Sequence, residues 1–373
     1  MSKPVIMIAA GGTGGHLFPA FALSEEFGRR GCLVDLVTDM RGDKFGTGFP
    51  ARTVHQVPSA TLRSKTPWGV AQMVFTLLRG IVRARALLRE VKPSVIIGFG
   101  GYPTVPPLIA ARLLSIPVVL HEQNAVMGRA NRLLVRFATA IGLTFEKTKY
   151  LGEAHRAKAH LVGTPVRDAV LAEAKTSFIE PTPNGKLKLL VFGGSQGARV
   201  FSDVVPGALA ILPDYLKTRI KLVQQVREED MDRVRAAYDE AGIDAVLETF
   251  FSDMPKRMAN AHLVIGRAGA STVAELTVLG RPSILVPLPH ALDNDQLENA
   301  TRVQEVGGAW CIEQPWFTSE RLADEIIRFG DSPVVLVKAA KAARSIGEPG
   351  AVAKLADVIE ELAGPQIAKR QNK

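Results

Sequence analysis

Short apolar runs punctuate this 373-residue chain, each of three to six residues and each followed by a longer stretch with apolar positions at helical spacing. Runs this short, rich in Val, Ile and Leu, read as buried strands, and the stretches between them are long enough for helices. The pattern predicts strands at Val5–Ala10, Leu33–Thr38, Thr53–Val57, Val95–Ile97, Val118–Leu120, Ala140–Leu143 and His160–Val162. A second series follows at Leu187–Phe192, Ile220–Gln224, Ala245–Glu248, Leu263–Ile265, Ser283–Val286 and Ala309–Ile312. Strand–helix alternation builds parallel sheets flanked by helices. Two series in a chain too long for one ordinary core imply two similar α/β domains. The change-over lies near Gly163, Thr164 and Pro165, so the expected division is 1–163, 164–340 and a terminal helix with a polar tail, 341–373.

The segment Pro67–Val91 stands apart. It reads as a helix whose first half is nearly surrounded by Val70, Met73, Val74, Phe75, Leu77, Leu78, Ile81 and Val82. Arg63, Lys65, Arg79, Arg83, Arg85, Arg89 and Lys92 lie in or beside it. A helix apolar all round is usually buried. An apolar face ringed by arginines also suits a bilayer interface. In that second reading Val74, Leu78 and Ile81, flanked by Arg79 and Arg83, face the membrane.

Charge sharpens the picture. Residues 1–163 hold 21 Lys/Arg and 9 Asp/Glu, a net +12, while the remainder holds 25 and 28, a net −3. A basic first half points to an anionic partner: nucleic acid, an anionic membrane or a phosphorylated substrate, or else simply a solvated surface. The stretch Pro93–Ala111 carries no charge over 19 residues, but Pro103, Pro106, Pro107 and its glycines are incompatible with a spanning helix. No signal peptide is evident. Cys32 and Cys311 are far apart, fit a reducing compartment, and show no metal-site spacing.

Three glycine-rich turns follow predicted strands: GGTGGH (Gly11 to His16), GFGGYP (Gly98 to Pro103) and GGSQGAR (Gly193 to Arg199). Strand, glycine turn and helix start together make an anion site, because free N–H groups and the helix dipole point at the ligand. The first is not the dinucleotide fingerprint, since its glycine spacing is wrong. His16, at the helix mouth, is a candidate general base. HEQNAVMGRAN, His121 to Asn131, gathers polar side chains at a strand's carboxyl end, where α/β sheets bind ligands. Its amides at Asn124 and Asn131 suit sugar hydroxyls, although a polar loop with a helix cap reads the same way. GRAGASTVAEL, Gly266 to Leu276, puts Glu275 one turn into a helix, where its carboxylate suits a ribose diol or merely the helix dipole. Asp293 and Asp295 resemble a two-carboxylate metal motif, a pattern common by chance.

Taken in order from residue 11 to residue 300, GGTGGHLFPA, GFGGYP, HEQNAVMGRAN, GTPVR, GGSQGAR, GRAGASTVAEL and DNDQLENA resemble the MurG family. These bacterial transferases add N-acetylglucosamine (GlcNAc) to lipid I in peptidoglycan synthesis. The resemblance implies an α/β GT-B fold, two Rossmann-like domains with parallel sheets flanking a central cleft, and a C-terminal helix that returns to the first domain. It implies a catalytic His16, with Thr13, Gly14, Gly15, Asn124, Arg167, Ser195, Phe251 and Gln296 on the donor. Ala270, Ser271, Thr272, Val273, Ala274 and Glu275 match the nucleoside-binding turn. Gly100, Gly101, Tyr102 and Asn131 fall on the acceptor side. The implied reaction is inverting transfer from UDP-GlcNAc to lipid I with no metal and no cofactor. The implied location is the cytoplasmic face of the bacterial inner membrane, with its anionic surface and other cell-wall synthesis proteins as partners. The sequence departs from the family in the second turn, which reads GGYPTVPP, and at Asp295, where a second glutamine is frequent.

Three rivals bear on this reading. A UDP-GlcNAc 2-epimerase or a lipid-A disaccharide synthase would share the fold and donor, but an epimerase would leave the basic, apolar first-half surface idle. An NAD-dependent oxidoreductase would need the dinucleotide fingerprint, whose spacing GGTGGH does not have, and saturable NADH binding tests it. No nucleic acid is expected, since no aromatic-rich basic patch accompanies the charge.

Overall fold

The computed structural model describes residues 3–11, 14–39, 48–60, 66–182, 184–194, 197–289, 291 and 293–371, the last seven without side chains. The chain divides into two compact units, Met1–Arg167 with Pro349–Lys373, and Asp168–Glu348.

In the first unit β1 (Val5–Ala9), α1 (Gly14–Arg29), β2 (Leu33–Thr38), β3 (Thr53–Gln56), α2 (Pro67–Val91), β4 (Val95–Gly98), α3 (Val105–Leu113), β5 (Val118–Glu122), α4 (Arg129–Leu134), β6 (Ala140–Leu143) and β7 (Ala159–Leu161) follow one another. The strands form a parallel sheet in the order β3-β2-β1-β4-β5-β6-β7. Both faces are covered. Ile6 and Ile8 enter one apolar cluster and Met7 and Ala9 another, so alternate residues of a single strand serve two cores.

The second unit runs α5 (Asp168–Glu173), β8 (Leu187–Phe192), α6 (Arg199–Ala210), α7 (Asp214–Lys217), β9 (Ile220–Gln225), α8 (Met231–Ala241), β10 (Ala245–Glu248), α9 (Met254–Asn260), β11 (Leu263–Gly266), α10 (Ala270–Leu279), β12 (Ser283–Leu285), α11 (Asp295–Glu305), β13 (Ala309–Cys311), α12 (Ser319–Asp331) and α13 (Val334–Ser345). Its sheet is again parallel, ordered β10-β9-β8-β11-β12-β13. All thirteen predicted strands are present, with ends shifted by a residue or two.

The final helix, α14 (Ala351–Gln371), belongs to the first unit. Val352, Leu355, Ala356, Ile359 and Ala363 join the cluster that contains Leu17, Leu23 and Phe27 of α1. Arg30, just past α1, donates to Asp357 at 2.6 Å and to Glu360 at 2.7 Å.

Helix α2 is where burial was the ordinary expectation, and its first half is not buried. Thr66 caps it by accepting the N–H of Gly69, and a left-handed Lys92 ends it. Only Gly80, Ala84 and Leu88 are buried, an i, i+4 stripe confined to the second half. Trp68, Phe75, Leu78 and Val82 are 80%, 67%, 57% and 71% exposed. Val74 is also exposed, but Ile81 packs partly on the core with Leu77 and Leu87, so it does not share the outward stripe of Leu78. Among the described residues no helix is long and apolar enough to cross a membrane.

Candidate active site

In a parallel sheet all carboxyl ends lie on one edge, and the connecting turns there converge. In the first unit β1, β4 and β5 are adjacent, so the GGTGGH, GFGGYP and HEQN turns emerge side by side. Gly100 and Gly101 have φ of +91° and +75°, a region open to glycine at little cost. A Cβ on Gly100 would lie 3.3 Å from His16 Nε2 and 3.6 Å from Asn131 Nδ2. Glycine there brings His16, the second turn and Asn131 into one cluster. His16 is half-buried in the first turn of α1, directly after a buried Gly14 and an exposed Gly15. The Arg167 guanidinium stacks 4.3 Å from the centre of the Phe18 ring, and Phe18 also packs against Gly14. Tyr102 packs partly on the core beneath the second turn. Thr13 lies outside the described residues.

The HEQN turn is organised by Glu122. Its carboxylate is buried and accepts four N–H groups: Asn124 N at 3.0 Å, Asn124 Nδ2 at 3.3 Å, Gly128 N at 2.8 Å and Asn131 Nδ2 at 2.8 Å. Burial pushes its pKa upward, against the pull of those donors. Both oxygens are engaged, so Glu122 is a scaffold for Asn124 and Asn131 and a poor reserve base. The Asn131 amide also donates to the His121 carbonyl at 3.2 Å, and its buried Oδ1 has no partner among the described residues. His121 is buried too. Gln123 donates to its Nδ1 at 2.9 Å, which fixes the proton on Nε2 for donation to the Gly163 carbonyl at 2.8 Å. Burial pushes its pKa down to about 4, so it is neutral at physiological pH.

The second unit repeats the arrangement at its own carboxyl edge. After β8, Gly193 donates to Gln225 Oε1 at 3.2 Å, and a side chain on Gly193 would collide with the Ala198 backbone. Gly194 and Gly197 have φ of +84° and +66°, and Ser195 lies outside the described residues. After β10, Phe251 is buried beneath the Arg257 guanidinium, 4.3 Å from its ring centre. After β11, Ala270, Ser271 and Thr272 are half-buried in the first turn of α10, and Val273, Ala274 and Glu275 are buried in the next. Gln296 Oε1 accepts the Leu288 N–H at 3.0 Å, which ties Leu288 to the first turn of α11. Asp293 and Asn294 are left-handed there, and Asp295 Oδ1 accepts the Gln296 N–H.

Two further residues, Arg267 and Asn299, organise these turns through hydrogen bonds that the motif pattern does not show. Arg267 donates to the Val286 and Pro287 carbonyls at 3.1 and 3.0 Å and to Gln314 Oε1 at 2.7 Å, clamping the turns after β11 and β12. Asn299 donates to the Ala268 carbonyl at 3.1 Å and ties α11 to the same turn. Both carry a sequence signal, since each is a polar residue inside a glycine- or acid-rich motif.

Comparison with known proteins bears on both units. The glycosyltransferase family 28 N-terminal domain matches residues 6–143, and its C-terminal domain matches residues 188–362. A curated protein of Allorhizobium ampelinum is 49% identical over 364 residues, which is 97% of this chain and 96% of that one. The chain belongs to glycosyltransferase family 28. That relative is named UDP-N-acetylglucosamine–N-acetylmuramyl-(pentapeptide) pyrophosphoryl-undecaprenol N-acetylglucosamine transferase. A Rhodopseudomonas palustris protein with the same name is 51% identical over 361 residues, 97% of this chain and 96% of that one. Among solved structures, Acinetobacter baumannii MurG superposes on the family 28 chain with a TM-score of 0.78 at 28% identity, over 96% of this chain and 100% of that one. The UDP-GlcNAc 2-epimerase of Neisseria meningitidis gives a TM-score of 0.69 at 14% identity, over 96% and 100%, a likeness of fold alone. Two units, each with a parallel sheet, make this family 28 enzyme a GT-B glycosyltransferase.

Proposed function

We infer that this glycosyltransferase moves GlcNAc from UDP-GlcNAc to the 4-hydroxyl of the N-acetylmuramyl (MurNAc) residue in undecaprenyl-pyrophosphoryl-MurNAc-pentapeptide, lipid I, giving lipid II for peptidoglycan synthesis. The observation that carries this is near 50% identity, over almost the full length of both chains, with transferases named for that donor and acceptor.

The transfer inverts the anomeric centre. The acceptor oxygen attacks the anomeric carbon, the bond to the UDP oxygen breaks, and the acceptor proton passes to the His16 imidazole. The position of His16 against Gly100 and Asn131 supports this role, since a base must meet the acceptor hydroxyl beside fixed polar groups. Arg167 and the N–H groups opening α6 counter the charge that grows on the leaving UDP. The turn Ala270–Glu275 holds the nucleoside, with the Glu275 carboxylate on the ribose diol. The scheme uses no metal.

The acceptor's polyprenyl tail stays in the membrane, so the enzyme docks on the bilayer's cytoplasmic surface. The outward stripe of Trp68, Phe75, Leu78 and Val82 beside Arg79 and Arg83 supports α2 as the docking element.

Incubation with radiolabelled UDP-GlcNAc and a short-chain lipid I analogue, followed by product analysis, tests the assignment. Labelled disaccharide-lipid is expected, and it is expected to persist in excess EDTA. Release of UDP and 2-epimerised sugar without acceptor would favour the epimerase instead. Loss of transfer in EDTA, restored by Mg²⁺, would overturn the metal-free scheme.

A further inference from the structure

The second unit contains a cavity of about 500 Å³ to which the transfer reaction assigns nothing. Its walls come from the segment after α5 (Ala174–Phe178), the end of α10 (Leu279, Gly280) and one face of α13. The volume lies in the range that holds a small organic ligand. Its floor is apolar, with Phe178, Leu279, Val337 and Ala340.

Its rim is cationic. Lys175, Lys341 and Arg344 line it and are exposed, and among the described residues none pairs with an acidic side chain. This is unusual for a unit that pairs its arginines freely elsewhere: Arg227 and Arg233 share Asp230, and Arg321 and Arg328 share Glu325. It also runs against the local balance, since residues 164–373 carry a net −3. A fourth cation lies beneath the rim. Arg281 is only 1% exposed, stacks 5.4 Å from the centre of the Phe178 ring, and donates to the Thr176 carbonyl at 3.0 Å. Its Nε–H is buried and has no partner among the described residues. Arg344 lies so near that it helps push the Arg281 pKa down to about 10, after burial itself. The Arg344 stem covers Gly280, whose φ is +62°, and this sets its head group at the cavity edge.

Like charges gathered without counter-charge repel one another, and the cluster becomes favourable when an anion joins it. We propose that this cavity is a binding site for an amphipathic anion, an apolar body of small-molecule size carrying one phosphate, sulfonate or carboxylate. The apolar body fills the floor between Phe178, Leu279 and Val337. The anionic head meets Lys341 and Arg344 at the rim, with Lys175 completing the cage.

The fluorescent sulfonate 8-anilinonaphthalene-1-sulfonate probes the site directly. A Leu78→Glu/Val82→Glu background removes probe binding to the exposed α2 stripe. One saturable site per chain is expected there, competed by octyl phosphate, not by octylamine, and weakened by added salt. Lys341→Glu/Arg344→Glu alters only exposed side chains and is expected to weaken binding at least tenfold, with circular dichroism unchanged. Val337→Trp fills the cavity and is expected to abolish binding. Unchanged affinity in the folded charge-reversed variant would overturn the proposal. Equal competition by octylamine would also overturn it, because the cavity would then select apolar bulk without regard to charge.

Discussion

Each of the two histidines at the first unit's carboxyl edge has an environment that suits a different task. His16 stands half-buried at a helix mouth beside a glycine turn that leaves room for it. His16→Ala is expected to lower kcat by about 10²–10⁴ while UDP affinity, measured by calorimetry, changes little. A large loss of UDP affinity with a small loss of kcat would make it a binding residue. His121 is locked neutral between Gln123 and the Gly163 carbonyl, with a pKa near 4 against an ordinary 6.5. Its folded pKa is depressed, so between those values the unfolded chain binds the proton and the folded one does not. The stabilisation is therefore whole above pH 6.5 and is lost as pH falls toward 4, by about 3 kcal/mol. Urea unfolding at pH 7 and pH 4.5 measures it, and His121→Asn is expected to flatten that part of the profile.

Elements show the same dependence on neighbours. The turn between β5 and α4 is held by one buried carboxylate with four donors. Glu122→Ala strands those donors and is expected to cost about 2–4 kcal/mol of stability in chemical denaturation. Turnover falls with it, because Asn124 and Asn131 lose their anchor. For α2, outward Leu78 and Val82 and inward Ile81 give a sharp contrast. Leu78→Glu/Val82→Glu is expected to leave folding and UDP affinity intact and to abolish the salt-resistant part of co-sedimentation with phosphatidylglycerol vesicles. The remaining salt-sensitive part comes from the arginines, at about 1 kcal/mol each near the surface. Ile81→Glu, by contrast, is expected to destabilise the first unit, since Ile81 packs on the core. Normal membrane binding by the folded double variant would move the docking surface elsewhere.

At the scale of the whole molecule, the chain's last helix completes its first unit. Leu355 and Ile359 are fully buried in the cluster that also takes in Leu23 and Phe27. A fragment ending at Arg167 would expose that apolar surface, where each large side chain contributes about 2–5 kcal/mol. Residues 168–348 expressed alone are therefore expected to unfold cooperatively on heating. Residues 1–167 are expected to be insoluble unless residues 349–373 are co-expressed or fused. Soluble, cooperatively folded 1–167 would show that α14 is dispensable to the unit.

The strands, the glycine turns and the order of motifs were determined by the sequence alone. A buried parallel strand is mostly an apolar run, and the positive φ of the motif turns falls on glycines, Gly100, Gly101, Gly194 and Gly197, so both signals are local. The direction in which α2 faces was decided only by the tertiary structure. An all-round apolar helix has no preferred side until Gly80, Ala84 and Leu88 find a surface to pack against. The role of Glu122 was decided the same way, because its partners lie two, six and nine residues onward and meet it only once the turn has closed. So was the cationic cavity of the second unit. Lys175, Arg281 and Arg344 are far apart in the chain, and only packing of α10, α13 and the segment after α5 sets their charges side by side.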